Sequence, residues 1–209
     1  DTIITISEYS KRQIARYGGV DPERIVPIHH GCPVDIGRVS DPTALTEVRH
    51  RLGLTKPIVL AEAFKNPGVI VRAWKRLPPE IRDGHEIVFF SRSQDVLPVV
   101  GEAVEAGWAR LLVRPRRTDL AALYTMARAF LFPSWIEGFG IPLVEAMTCG
   151  APIICSDRGA IPEVVADCGI VLDVKKKTAR CIAMLHVRTG DAIVVGHHGV
   201  RVLPAETAL

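Results

Sequence analysis

Two carboxylates and two glycines crowd the run Trp135-Ile136-Glu137-Gly138-Phe139-Gly140-Ile141-Pro142-Leu143-Val144-Glu145, which follows an apolar stretch ending at Phe132. Pro142 suits the first turn of a helix, where its missing N–H removes no hydrogen bond, and Gly150 suits the left-handed residue just past a helix end. A helix over 141–149 would offer unpaired backbone N–H groups and the positive end of its dipole. It would do so beside a bend where Gly138 and Gly140 let a ligand approach the backbone. That combination favours an anion such as a diphosphate. Glu137 precedes the bend and Glu145 follows it, so helical spacing does not set their geometry. Both could face one ligand, Glu145 accepting hydrogen bonds from ribose hydroxyls and Glu137 meeting a sugar beyond the phosphates. Spacing alone equally allows two acids that merely suit a helix N-terminus.

The elements that must hold these residues follow from periodicity. Short apolar runs alternate with segments of helical period, the pattern of parallel strands joined by crossover helices. Strands are expected at Ile3–Ile6, Ile25–Ile28, Ile58–Ala61, Glu86–Phe90, Arg110–Val113, Ala129–Phe132, Pro152–Cys155 and Gly169–Leu172. Helices are expected near 7–17, 68–77, 94–106, 118–128, 141–149 and 161–167. The fold class is α/β, a Rossmann-like doubly wound parallel sheet. Ligands of such sheets sit beyond the carboxyl ends of the strands. Chemistry is therefore sought in the loops near 29–35, 62–67, 91–94, 114–117, 133–140 and 156–160. After Asp173 the pattern breaks: Arg180–Val187 reads as either helix or strand, and Ala192–Gly196 as a stray strand.

Composition narrows the classes. The 209 residues are 48% apolar, 6% aromatic and 23% charged, with a net charge of +3, which suits one folded globule. The basic runs Lys175-Lys176-Lys177 and Arg114-Pro115-Arg116-Arg117 carry no interleaved aromatics, so nucleic-acid binding is not expected. No apolar run approaches the roughly 20 residues that span a bilayer, and the first residues do not read as a signal peptide. The expected location is cytoplasmic. Cys32, Cys149, Cys155, Cys168 and Cys181 form no C-x-x-C, which argues against a disulfide framework or a zinc site. His29-His30 and His197-His198 lack partners at ligand spacing and read as polar loop residues. No D-x-D, G-x-G-x-x-G or P-loop occurs, so neither a divalent metal nor a separate cofactor is expected.

The run Glu137 to Glu145 resembles the E-x7-E motif of retaining glycosyltransferase family 4 (glycosyl transferases group 1), in the C-terminal, donor-binding domain of the GT-B fold. Leu123-Tyr124-Thr125-Met126-Ala127 and Gly150 to Val165 are similar to that family's flanks. Ser7-Glu8-Tyr9-Ser10 resembles its hinge strand, and His29-His30-Gly31-Cys32-Pro33-Val34-Asp35 its P-N-G-V-D loop. The likeness covers most of residues 1–173 and is closest over 118–173. It implies 1–17 as a remnant of an N-terminal domain and hinge helix, 18–173 as the nucleotide-sugar-binding domain, and 174–209 as an atypical tail. As Asp1 opens directly into a strand-like run, a truncated chain is expected.

The resemblance also implies roles. Glu137 would contact the donor sugar near its anomeric carbon, Gly138, Phe139, Gly140 and Ile141 would offer backbone N–H groups, and Glu145 would hold ribose. Lys65 matches a phosphate-binding lysine that would neutralise the leaving diphosphate. Gly31 would border the donor, and His29 would line the interdomain cleft. The partners implied are a UDP- or GDP-sugar and an acceptor saccharide or lipid-linked saccharide, which a missing N-terminal domain would bind. A peripheral place at the inner membrane face is compatible with such an acceptor. The transferred group would be a hexosyl such as mannosyl or glucosyl.

One departure stands out. The family places an arginine shortly before the lysine, but Ala61-Glu62-Ala63-Phe64-Lys65 has none and its loop is shorter. Loss of a charge-assisted phosphate contact removes about 1.5–3 kcal/mol, and Glu62 would add repulsion if it faced the same site. Arg92 and Arg116, from neighbouring loops, are the candidate substitutes. A GT-B-like nucleotide-sugar epimerase and a non-catalytic remnant are the alternatives to a transferase.

Overall fold

The β-branched and aromatic runs form strands because parallel strands covered on both faces bury every side chain. The computed structural model describes residues 1–172 throughout and, beyond them, the backbone of three short strands. In chain order the elements are β1 (Ile3–Thr5), α1 (Glu8–Gly18), a 3-10 turn (Pro22–Arg24), β2 (Ile25–Pro27), α2 (Pro42–Arg51), β3 (Ile58–Glu62), α3 (Pro67–Trp74), α4 (Pro79–Gly84), β4 (Glu86–Ser91) and α5 (Pro98–Glu105). They continue with β5 (Ala109–Val113), α6 (Arg117–Met126), β6 (Ala129–Phe132), α7 (Ile141–Thr148), β7 (Ile153–Ser156), α8 (Ile161–Val165), β8 (Ile170–Leu172), β9 (Met184–His186), β10 (Asp191–Gly196) and β11 (Gly199–Pro204).

Six strands form one sheet in the order β5-β4-β3-β6-β7-β8, and each neighbouring pair runs parallel. β1 and β2 pair parallel in a separate ribbon, while β9, β10 and β11 form an antiparallel sheet. The period of two along each strand divides the core in two. Ile58, Leu60, Val88 and Phe90 pack with Tyr124 of α6, Leu143 of α7 and Ile161 of α8, whereas Val59, Ala61, Ile87 and Phe89 pack with Trp74 of α3 and Val100 of α5. Helices thus cover both faces. A fully buried phenylalanine such as Phe130 contributes about 1.5–3 kcal/mol by leaving water.

All eight strands expected up to Leu172 are present, within a residue of their expected ends. α2 and α4 were not expected. Neither buries a residue fully: α2 turns the partly buried Leu45 and Val48 inward, and α4 is six residues long. The stray strand expected at Ala192–Gly196 lies in β10, and Met184–His186 of the ambiguous segment Arg180–Val187 is strand. The rest of that segment, Lys175 to Lys177, Cys181 and His197-His198 lie outside the described residues.

The order of the sheet fixes where a ligand can enter. From β3 the chain builds outward through β4 and β5, then returns to the other side of β3 as β6. Connections diverge between β3 and β6, which opens a crevice beyond their carboxyl ends.

Candidate functional site

Two loops meet over that crevice. After β3 the chain turns through Lys65, whose backbone N–H donates to the Glu62 carbonyl (3.2 Å), into Asn66, a left-handed residue (φ 55°) that caps α3. The Asn66 side-chain amide donates to the Pro133 carbonyl (3.0 Å), which ties this loop to the one after β6. Lys65 Nζ then lies 2.8 Å from Glu137 Oε1, and Ser134 Oγ donates to the same oxygen at 2.6 Å. The Glu137 and Lys65 side chains are 13% and 28% exposed, so the pair is sheltered yet open to a ligand.

The bend beyond Glu137 is held on every side. The Glu137 carbonyl accepts from Ala160 N–H (3.0 Å), and a Cβ on Gly159 (φ +62°) would lie 2.3 Å from that carbonyl oxygen. Only glycine fits there. The Gly138 carbonyl accepts from Ser7 Oγ (2.6 Å) and Ser10 Oγ (3.3 Å) at the start of α1. Phe139 is buried, with the His29 and His30 rings 5.6 and 5.4 Å away. Gly140, at φ +106°, turns the chain into α7, which Ile141 begins. Gly31 is exposed in a loop pinned to the site at both ends, by the histidines against Phe139 and by Asp35 against Arg117.

Glu145 sits deeper. Its side chain is wholly buried; Oε2 accepts from Arg92 (2.6 Å) and the Tyr124 hydroxyl (3.2 Å), and Oε1 from Arg117 (2.9 Å). Arg117 also grips Asp35 at 2.8 and 2.9 Å. The hydrogen bond from Arg117 holds the Asp35 carboxyl below its usual range, and the Asp35 and Glu145 carboxylates hold Arg117 firmly protonated. Burial first, and the Glu145 charge second, push the Tyr124 hydroxyl well above its usual value, so it stays a donor. Ribose hydroxyls reach Glu145 only if an arginine releases it.

Of the two candidate arginines, Arg92 joins the cluster. Arg116 does not: it is exposed at the cap of α6 and makes no ion pair among the described residues. Successive helical residues point about 100° apart, so the next position, Arg117, turns inward. Sequence reasoning also missed Tyr124, which lay inside the quoted flank, Ser134, whose contact with Glu137 is local, and Ser7 and Gly159, whose roles rest on contacts across the fold. Glu62 faces the cluster, as its repulsive reading required. Among the described residues no group of three histidine, cysteine or acidic side chains is arranged to hold a metal; His29 instead meets Glu163 at 2.7 Å.

Several known proteins resemble this chain in sequence or in fold. O-antigen chain mannosyltransferase B of Escherichia coli is 35% identical over 179 residues, 82% of this chain and 47% of that protein. D-inositol 3-phosphate glycosyltransferase of Mycobacterium tuberculosis is 29% identical over 80% of this chain and 36% of its own length. The chain therefore spans about half or less of the relatives it matches. Its α/β fold is shared by the crystal structure of WaaG, a glycosyltransferase involved in lipopolysaccharide biosynthesis (TM-score 0.69, 18% identity, 82% of this chain and 49% of that one). It is shared also by Anabaena HepE in complex with UDP-glucose (TM-score 0.68, 18% identity, 82% and 50%). Residues 160–208 match a model described as arginine dihydrolase ArgZ-like, C-terminal, first region, a short stretch lying largely beyond the sheet. The glycosyl transferases group 1 model matches residues 60–183, more than half of the 209; the chain belongs to that family.

Proposed function

We propose that residues 18–173 are the donor-binding domain of a retaining family 4 glycosyltransferase, and that the crevice between β3 and β6 takes a nucleotide diphosphate sugar. The observation that carries this is the Lys65–Glu137 pair, 2.8 Å apart across the switch point and next to the glycine bend that opens α7. A cation and a carboxylate so placed meet the two ends of one ligand: phosphate at Lys65, sugar hydroxyls at Glu137. HepE, whose fold this chain shares, is complexed with UDP-glucose, which supports a nucleotide sugar as the ligand class.

In the reaction so assigned, the bond between the anomeric carbon and the diphosphate breaks while the acceptor oxygen bonds to that carbon on the same face. Lys65 takes up the charge that builds on the diphosphate. Glu137 stabilises the positive charge on the sugar, and a phosphate oxygen receives the acceptor proton. Acceptor recognition is assigned to a separate N-terminal domain.

Thermal melting with uridine and guanosine diphosphate sugars tests the reading. A donor at 100 times its dissociation constant stabilises by about 2.7 kcal/mol. Lys65→Ala, which removes one charge-assisted contact, should weaken binding about 10- to 150-fold. Absence of any shift, or an equal shift in both proteins, overturns the assignment.

A further inference from the structure

Donor binding as described leaves Glu62 without a role. It is the last residue of β3, in register with Phe90 of β4, at the edge of the crevice. The residue is 7% exposed, and its Oε2 is buried without a hydrogen-bond partner. Lys65 of its own loop, Arg92 after β4, Glu137 after β6, Glu145 of α7 and Tyr124 of α6 all act electrostatically on it or feel its charge. Both cations are already committed, Lys65 to Glu137 at 2.8 Å and Arg92 to Glu145 at 2.6 Å. A charged carboxylate left half-satisfied among two other carboxylates is unstable, and burial is the largest force holding Glu62 above its ordinary range. A neutral carboxyl has an O–H to give, and the Glu62 side chain lies within electrostatic reach of Lys65, Arg92, Glu137 and Glu145.

We propose that Glu62 binds the diphosphate as a neutral acid, donating its carboxyl hydrogen to a phosphate oxygen, so that donor affinity depends on a proton held by the protein. The inference rests on the donor-site reading above. It turns the shortened loop from a loss into an exchange: a neutral donor stands where a cationic contact is missing. Deprotonation reverses the effect, because a third carboxylate then repels the phosphates. Where only the protonated form binds, affinity falls by up to about tenfold per pH unit above the Glu62 pKa, and one proton enters with each donor bound.

Calorimetry with UDP-glucose and GDP-mannose from about pH 5 to about pH 8 tests this in two proteins that share His29 and His30 beside Phe139. Both phosphates of these probes are esterified and bring no titration of their own. Wild type should bind more weakly as pH rises and take up protons, read from heats in buffers of different ionisation enthalpy. Glu62→Gln keeps an N–H donor and both histidines; it should hold its low-pH affinity at high pH and take up fewer protons. Parallel pH curves and equal proton uptake in the two proteins refute the role of Glu62 and leave the donor site standing. No binding by either protein at any pH refutes both. The wild-type proton uptake is informative even if the variant folds poorly.

Discussion

Replacing Glu145 with alanine should unfold the cluster from its centre. The side chain is completely buried and receives three hydrogen bonds, from Arg92, Arg117 and Tyr124. Bonds to a charged group contribute about 1.5–3 kcal/mol each, and breaking a buried pair from one side costs about 3–5 kcal/mol. Both arginines are more than a third exposed, at 44% and 36%, so each recovers hydration and its share is discounted. Tyr124 has no such escape. Its fully buried hydroxyl loses its acceptor, a penalty of about 1–3 kcal/mol. The expected destabilisation of Glu145→Ala is about 3 kcal/mol, or about 6–12 °C in melting temperature for a domain of this size. Glu145→Gln, which keeps one acceptor and the volume, should lose about half as much. Urea titration of the three proteins reads these differences directly. A Glu145→Ala protein within about 0.5 kcal/mol of wild type would show that the carboxylate does not knit α6, α7 and the loop after β4 together.

Four further outcomes are expected. Gly159→Ala should destabilise by more than about 2 kcal/mol and abolish donor binding, since its Cβ meets the Glu137 carbonyl and φ is +62°; urea titration and melting with donor check it. Glu163 accepts the α1 backbone N–H groups of Glu8 and Tyr9 and the His29 ring; burial opposes its charge, yet these bonds outweigh it and lower its pKa. Its stabilisation is present above the ordinary carboxylate range and lost as pH falls through it, so Glu163→Gln should cost about 1–2 kcal/mol near neutrality and little in acid, by denaturation at two pH values. In thiol labelling of the native protein Cys168 should react first among the described cysteines, while burial holds Cys149 at about 11 and Cys155 at about 12, and these two should react only on unfolding. Asp35→Asn, which frees Arg117 of an exposed competitor, should tighten donor binding about two- to fivefold in low salt, an effect that added salt shrinks; weaker binding would make Asp35 a positioning partner instead.

The strands were legible because burial on both faces leaves unbroken apolar runs, as in Ile58 to Ala61 and Ile87 to Phe90. The bend was legible too, since Gly138, Gly140 and Pro142 have backbone requirements that their residue types announce. What joins these pieces was not. Nothing local to Arg92 or Arg117 says that each ends on Glu145, and the choice between Arg116 and Arg117 turns on where α6 begins. α2 gave only a weak signal, because its inward Leu45 and Val48 are partly buried and set among polar residues. The depth of Glu145 was equally hidden: its place beside the helix start suggested a carboxylate open to ribose, whereas Tyr124 and two arginines close over it.

That closure changes the energetics of the assigned function. With Glu62 neutral, three cations (Lys65, Arg92, Arg117) are matched by three carboxylates (Glu137, Glu145, Asp35), and every cation is already paired. A diphosphate bound as proposed would therefore enter as a competitor for partners and not as the answer to an unmet charge. Two unit charges 4 Å apart attract by about 4 kcal/mol near a protein surface and about 1 kcal/mol in water, so an exchange gains only where the new contact is drier than the old. Arg117 meets that condition, because its Asp35 partner is 54% exposed while Glu145 is wholly buried. On these exposures the bond from Arg117 to Asp35 should yield before its bond to Glu145.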